Sequence, residues 1–277
     1  MNLIMDIGYN KGEFAKKCFE EYPDCKVIGV EANPIFKGGV WTEVLVTTKD
    51  PPGLIGEGHL TMVTDKIPSL PAFATPGKLM KKSNNPLQLA SGQCEVLNYV
   101  MAAPDAAATV PFHISLWSST ISSASPRFIR ESRFAPSRER QTSNWHEIRQ
   151  VPTITMDKLI EIYGTPDLIK IDVEGYEYEV LKGLSRKQKK ICFEWGEEEA
   201  DLLVSSLFRL SQLGYEEFGI IGHFEEGPVF DKITYFERGD EYLKEPENYF
   251  PLPNILSEVE RCTQPSRKIN WGMAWCR

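Results

Sequence analysis

The sequence predicts an α/β fold built on an open, mostly parallel sheet, and three observations carry that prediction. Residues 2–21 and 168–184 each read as a short apolar strand, a glycine-containing loop and a helix. Acidic residues and glycines gather where those strands end, at Asp6 and Gly8 and again at Asp172, Glu174 and Gly175. Two apolar runs close the chain, 215–221 and 269–276, and are expected to pair antiparallel at the sheet edge. A chain of 277 residues suits one large domain spanning 1–277, with insertions at about 37–92 and 222–268.

In chain order, residues 2–7 form the first strand, and 13–21 a helix broken by Pro23 and Asp24. CKVIGV, residues 25–30, is a second buried strand ending at Glu31, which completes a βαβ unit. Residues 37–92 hold Pro51, Pro52, Pro68, Pro71, Pro76 and Pro86 and read as a long loop, with a strand expected over 41–48. CEVLNYVMA, residues 94–102, predicts the third strand, and 109–115 a short extra one. Thr155 caps a helix over 156–163 that Gly164 closes. A strand over 168–173 and a helix over 176–184 come next, then a strand over 191–195. The following helix, 198–213, places Leu202, Leu203, Leu207, Leu210 and Leu213 at helical spacing, which marks them as core.

A formal charge of -8 argues against a general nucleic-acid coat. One basic island stands out: residues 126–149 hold six arginines against three glutamates. Six cysteines without a C-x-x-C pair suggest reduced thiols rather than a zinc ribbon or a disulfide framework. No basic segment leads into an apolar run and no stretch of about 18 apolar residues occurs. The expectation is a soluble, cytoplasmic protein with no membrane partner.

The chemistry concentrates at the strand ends, where open α/β sheets bind ligands. MDIGYNKGEF, residues 5–14, is a glycine loop between strand and helix, and Glu31 lies 23 residues past Gly8, placed to accept ribose hydroxyls. Together they suggest an adenosine-containing ligand. A pyrophosphate would need glycine close to its oxygens and no carboxylate beside it, whereas here Asp6 ends the strand and Asn10 stands where a glycine would make room. The loop therefore disfavours NAD and suits S-adenosylmethionine, which has no phosphate and carries an ammonium and a sulfonium. The plain structural alternative is that Asp6 caps the helix and Glu31 is solvated. Asp172 and Glu174, two apart at a buried strand end, and Glu194, ending the next strand, are poor core material and are candidate reactive groups. The alternative is that Asp172 caps the next helix and Glu174 only makes a turn. His59, His113, His146 and His223 show no ligand spacing. An oxygen-ligand cation site from Asp172, Glu174 and Glu194 is conceivable, but no metal is expected.

The blocks DIGYNKGEF, VIGVEANP, VPTITMDKL, DLIKIDVEGYEYEVLKGL and ICFEW resemble, in order and approximate spacing, the FkbM-type family of S-adenosylmethionine-dependent methyltransferases. The fourth block is the distinctive one. The resemblance covers residues 1–36 and about 93–221. It implies the class I methyltransferase fold, a Rossmann-like seven-stranded sheet of order 3-2-1-4-5-7-6 with one antiparallel strand and helices on both faces. It also implies methyl transfer to a hydroxyl oxygen, on a sugar or other small-molecule or glycan acceptor. Carried over by position, Asp6, Gly8, Tyr9, Asn10 and Gly12 would face the methionine part of the donor. Glu31, with Ala32 and Asn33 beside it, would face the ribose and Ala102 the adenine. Ser119, of the pair Ser118-Ser119, would touch donor or acceptor, and Asp172 would stand in the transfer crevice, with Glu174 and Glu194 near it. Two departures from the family pattern are that the chain starts on the first strand, so that 37–92 is the candidate lid, and that Tyr9 replaces a small residue. The arginine island with Phe134 and Trp145 keeps an RNA ribose 2′-O-methyltransferase as a rival, and a non-catalytic binding module on the same fold is another.

Overall fold

In chain order the elements are β1 (Leu3–Ile7), α1 (Glu13–Glu21), β2 (Lys26–Val30), α2 (Pro86–Ser91), β3 (Cys94–Leu97), β4 (Val100–Met101), β5 (Thr109–Ile114) and α3 (Pro126–Glu131). They continue as β6 (Glu147–Ile154), α4 (Met156–Tyr163), β7 (Leu168–Ile171), α5 (Glu177–Lys182), β8 (Ile191–Gly196), α6 (Ala200–Gln212), β9 (Phe218–Phe224), β10 (Thr234–Tyr235), α7 (Leu252–Cys262) and β11 (Ile269–Cys276). The computed structural model describes residues 1–34, 85–115, 118–136, 144–145, 147–224, 234–235, 244–262 and 269–277; the strand expected over 41–48 lies outside them.

The main sheet runs β10-β9-β11-β8-β7-β1-β2-β3. Counted along the chain, this is the expected 3-2-1-4-5-7-6 order with the two-residue β10 added beside β9. β11 is the antiparallel strand, and it pairs with both β8 and β9. The two late strands, β9 and β11, thus pair antiparallel at this end of the sheet as expected, with β11 lying between β9 and β8.

Successive residues of each strand face opposite layers, which divides the core in two. Met5, Ile7, Ile169, Ile171 and Phe193 pack with α4, α5 and α6. Ile4, Leu168, Cys192 and Trp275 pack on the other side against Phe14, Ala15 and Cys18 of α1. Helix α6 buries Leu203, Leu207 and Leu210, while Leu202 and Leu213 are half-buried. Helix α4 begins as expected: the Thr155 side chain accepts the Lys158 amide at 3.2 Å. Cys18, Cys25, Cys94, Cys192 and Cys276 are buried free thiols. No helix among the described residues is long and apolar enough to cross a membrane.

Several elements differ from the sequence reading, among them α2, α3 and β10, none of which was expected. The third strand stops at Leu97, because Asn98 donates its side-chain amide to the Glu31 and Ala32 carbonyls at 2.7 and 3.1 Å and ends the ladder. The chain then leaves the main sheet, and Val100 and Met101 pair with β6 in a second, three-stranded sheet ordered β4-β6-β5. β6 itself was not expected, since EIRQVPTI is charged at one end and exposed along most of its length. Helix α7 was not expected either, in the stretch 222–268 read as an insertion. It begins beside Pro253, which an early helical position tolerates, and buries Ile255 and Val259 one turn apart.

Leu207 is 0% exposed and its neighbour Phe208 48% exposed. Leu207→Ala is expected to cost about 2–5 kcal/mol in urea unfolding, and Phe208→Ala about 0.5 kcal/mol or less. Equal losses would place the α6 core face wrongly.

Candidate functional site

The sheet reverses direction of growth at β1, which pairs with β2 on one side and β7 on the other. A crevice opens there beyond the strand ends. It holds a cavity of about 370 Å³, within the size range of small-molecule sites.

The glycine loop forms one wall. Gly8 has φ +85, and a Cβ there would lie 1.7 Å from the Asp172 carbonyl oxygen, so the two strand tips meet only because this residue has no side chain. The Gly8 and Tyr9 amides both donate to the Val30 carbonyl, at 2.9 and 3.1 Å. Asn10 occupies the left-handed region at φ 47, which asparagine tolerates better than most residues. In that conformation its amide donates to Glu31 Oε2 at 2.6 Å, and its side-chain oxygen accepts from the Ser119 hydroxyl at 3.2 Å.

Glu31 is not solvated: it is 8% exposed, and Oε1 accepts the Asn33 amide at 2.7 Å. Burial pushes its carboxyl up to about 7, against the pull of those two amides. Nor does Asp6 cap α1, whose N-cap is Gly12 without a side-chain bond. Asp6 is 0% exposed and is the direct cross-strand partner of Lys170. Lys170, itself 2% exposed, reaches Asp6 Oδ1 at 3.3 Å and Asp172 Oδ2 at 3.2 Å, and donates to the Gly8 carbonyl at 3.3 Å. Burial pushes the Asp6 carboxyl up to about 6, opposed by Lys170.

Opposite the loop stand three carboxylates. One oxygen each from Asp172, Glu174 and Glu194 lies within 4.8 Å of the others. Asp172 does not cap α5, which has Tyr176 at its N-cap. Glu174 has φ 56, and its carbonyl accepts the Ser123 hydroxyl at 2.7 Å. Burial first, then Asp172, pushes Glu174 and Glu194 well above the usual carboxylate range. Behind them Glu177 accepts the Val173 and Gly175 amides at 2.9 and 3.3 Å, holding the turn.

Of the residues singled out from the sequence, Gly8, Tyr9, Asn10, Glu31, Ala32, Ser119, Asp172, Glu174 and Glu194 line the cavity. Asp6, Gly12, Asn33 and Ala102 do not; they lie behind it, buried or holding the loop. The Tyr9 ring turns away under Gly29, and its hydroxyl accepts from Asn85 at 2.9 Å. His113 is half-buried outside the lining, and His59 and His146 lie outside the described residues. Sequence reasoning passed over Lys170, Tyr99 and Trp271, which line the cavity, and read Arg133, also in the lining, only as part of the basic island. Lys170 carried a signal: a lysine within the buried strand LIKI, two residues before Asp172 and so on the same face.

Among the described residues, three arginines of the basic island are paired with carboxylates. Arg127 binds Asp201 at 2.7 Å and Glu131 at 3.3 Å, Arg133 binds Glu198 at 3.6 Å, and Arg149 binds Glu147. Trp145 is buried against Phe128 and donates its indole N–H to the Ile121 carbonyl at 2.8 Å. Arg138 and Arg140 lie outside the described residues.

A family model described as the methyltransferase FkbM domain matches residues 6–217. No curated protein and no solved structure matches the chain.

Burial pushes Glu177 from 4.5 up to about 8, with Glu199 adding to the effect. The folded state therefore holds a proton there that the unfolded chain releases above about pH 4.5, and stability falls as pH rises through that window. Glu177→Gln keeps an acceptor for both amides and carries no charge. In urea unfolding it is expected to exceed the parent by about 1 kcal/mol or more at pH 8.5, the gain shrinking toward zero at pH 4.5. A gain that does not depend on pH would contradict the burial of an ionisable group.

Proposed function

Since the chain belongs to the methyltransferase FkbM domain family, we propose that it carries a methyl group from S-adenosylmethionine to a hydroxyl oxygen of a sugar, glycan or other small-molecule acceptor. The observation that carries this reading is Glu31, which follows β2 in the cavity wall beside the glycine loop and is held by the Asn10 and Asn33 amides in place to accept ribose hydroxyls. Asp172, at the neighbouring strand tip against Gly8, puts a carboxylate where a pyrophosphate would have to lie. The donor set fits the proposed ligand: Glu31 retains lone pairs for ribose hydroxyls after accepting two amides, and the loop from Gly8 to Asn10 leaves backbone close to the cavity.

When bound, S-adenosylmethionine supplies an electrophilic methyl group on a sulfonium. The work left to the protein is to align an acceptor oxygen and remove its proton. Asp172 is the group proposed for that task. It lines the cavity at the strand end, Lys170 holds it at 3.2 Å, and the neighbouring Glu174 and Glu194 favour their neutral forms. Glu174 and Glu194 then serve as hydrogen-bond donors to further acceptor hydroxyls. Tyr176, Phe134 and Trp271 also line the cavity, and their flat apolar faces suit the C–H faces of a sugar ring. The pairing of Arg127, Arg133 and Arg149 with carboxylates leaves the RNA reading without a specific observation in its favour.

Isothermal titration tests the donor half of the reading. The protein is expected to bind S-adenosylhomocysteine, and Glu31→Ala to weaken that binding about tenfold or more, roughly the loss of one or two charge-assisted hydrogen bonds. Absence of binding at millimolar ligand would sink the reading. Mass spectrometry of a sugar and glycan panel incubated with S-adenosylmethionine tests the acceptor half. There Asp172→Ala is expected to slow methylation about 10²–10⁴-fold.

A further inference from the structure

A carboxylate crevice that attracts a sulfonium carries a penalty for catalysis. Any stabilisation of the cationic donor that is lost as the methyl leaves raises the barrier instead of lowering it. The product of transfer, S-adenosylhomocysteine, is neutral at sulfur, so the charge of the wall decides how strongly donor is held relative to product. The wall holds one cation buried within the sheet itself. Lys170 stands on β7 between Asp6, its cross-strand partner on β1, and Asp172, two residues along the same strand face. It lines the cavity while being 2% exposed, and its Nζ also lies over the Phe14 ring of α1 at 5.7 Å. Its place is fixed by three oxygens, Asp6 Oδ1, Asp172 Oδ2 and the Gly8 carbonyl, all between 3.2 and 3.3 Å.

We propose that Lys170 is the residue that sets the donor-to-product preference of the site. It offsets the Asp6 and Asp172 charges so that the crevice holds the sulfonium without over-stabilising it. The inference rests on the donor reading given above. Lys170 need not touch the ligand for this, because a fixed charge in a poorly hydrated wall acts over several ångströms. Lys11 and Arg133, the other cations of the lining, are less buried: Arg133 is exposed and paired with the half-buried Glu198, and Lys11 is half-buried on the glycine loop. Their charges are screened by solvent where that of Lys170 is not.

The test is a ratio of affinities. S-adenosylmethionine and S-adenosylhomocysteine are titrated separately into the protein by calorimetry, with no acceptor present so that the donor is not consumed. In an Asp6→Asn background, where no buried Asp6 can take up a proton and cancel the step, Lys170→Met is expected to raise the preference for S-adenosylmethionine over S-adenosylhomocysteine about tenfold relative to Asp6→Asn alone. Lys170→Arg, which keeps the charge, is expected to leave the ratio within about threefold of the parent. A residue with only a structural role would weaken both ligands together and leave the ratio unmoved. An unchanged ratio between Lys170→Met/Asp6→Asn and Asp6→Asn therefore overturns the inference, as does a rise of about tenfold in Lys170→Arg. If the parent binds neither ligand, it is the donor reading that fails; if it binds both and the ratio stays fixed, only the role of Lys170 does.

Discussion

Two adjacent parallel strands, β1 and β7, place an aspartate and a lysine side by side in the dry interior, and most of the site depends on that pair. Asp6 and Lys170 occupy one register position on the face that α1 covers. Placing two charges there costs desolvation that their attraction only partly repays, so the pair is weak evidence for stability. Its consequence is geometric. Lys170 turns a second bond toward Asp172 and a third toward the Gly8 carbonyl, while the Asp172 amide donates to the Ile7 carbonyl at 2.9 Å. The tips of β1 and β7 are thereby drawn together, and only a glycine at position 8 allows their backbones to meet. The crevice opens where it does because the strand order turns at this point, and it keeps its shape because these three oxygens hold one ammonium.

The carboxylates around the crevice form a graded set. Asp6 is pushed up to about 6 and Glu31 to about 7, each by burial, each with a partner that opposes the shift. Glu174 and Glu194, crowded by Asp172, go further. Like charges in a poorly solvated cluster cannot all ionise, and Glu174 and Glu194, buried and facing Asp172, are the members pushed furthest toward keeping a proton. Two amides hold Glu31 in place, and Lys170 holds Asp172.

How much of this the sequence disclosed follows from which forces act locally. β1, α1, β2, α4 and β7 were legible because each is a short run whose own pattern, cap or glycine settles its state. Thr155 and Gly164 bound α4 without help from the rest of the fold. β6 was not legible, since its ladder partners lie at 100–101 and 109–114 and its own residues are charged. The end of β3 depends on a side chain, Asn98, reaching carbonyls 67 residues away. At the site, the types and order of Glu31, Asp172 and Glu194 pointed to the crevice, as their positions at strand ends required. Asp6 and Tyr9 sit in the same loop, yet alternation along the strand and the turn at Gly8 send their side chains beneath the sheet surface. Motif spacing places residues at a strand end, but the face that each side chain takes is decided by one or two residues of register.

The second sheet gives the crevice a wall independent of the first. β5 leads into the turn Ser119–Ile121, and β6 returns the chain to α4, so the segment between β3 and β7 supplies Phe112, Ser119, Ile121, Arg133 and Phe134 to the cavity. It touches the glycine loop through the hydrogen bond from Ser119 to Asn10 and the strand end through that from Ser123 to the Glu174 carbonyl. Its own packing is a small cluster of Ile121, Phe128 and Trp145, separate from the two main cores. That cluster packs apart from the residues of β1 and β7, so changes within it act on the wall first. The charged floor and the adjustable wall are thus built from different parts of the chain. Chemistry common to many acceptors can stay fixed on the first while selection among acceptors varies on the second.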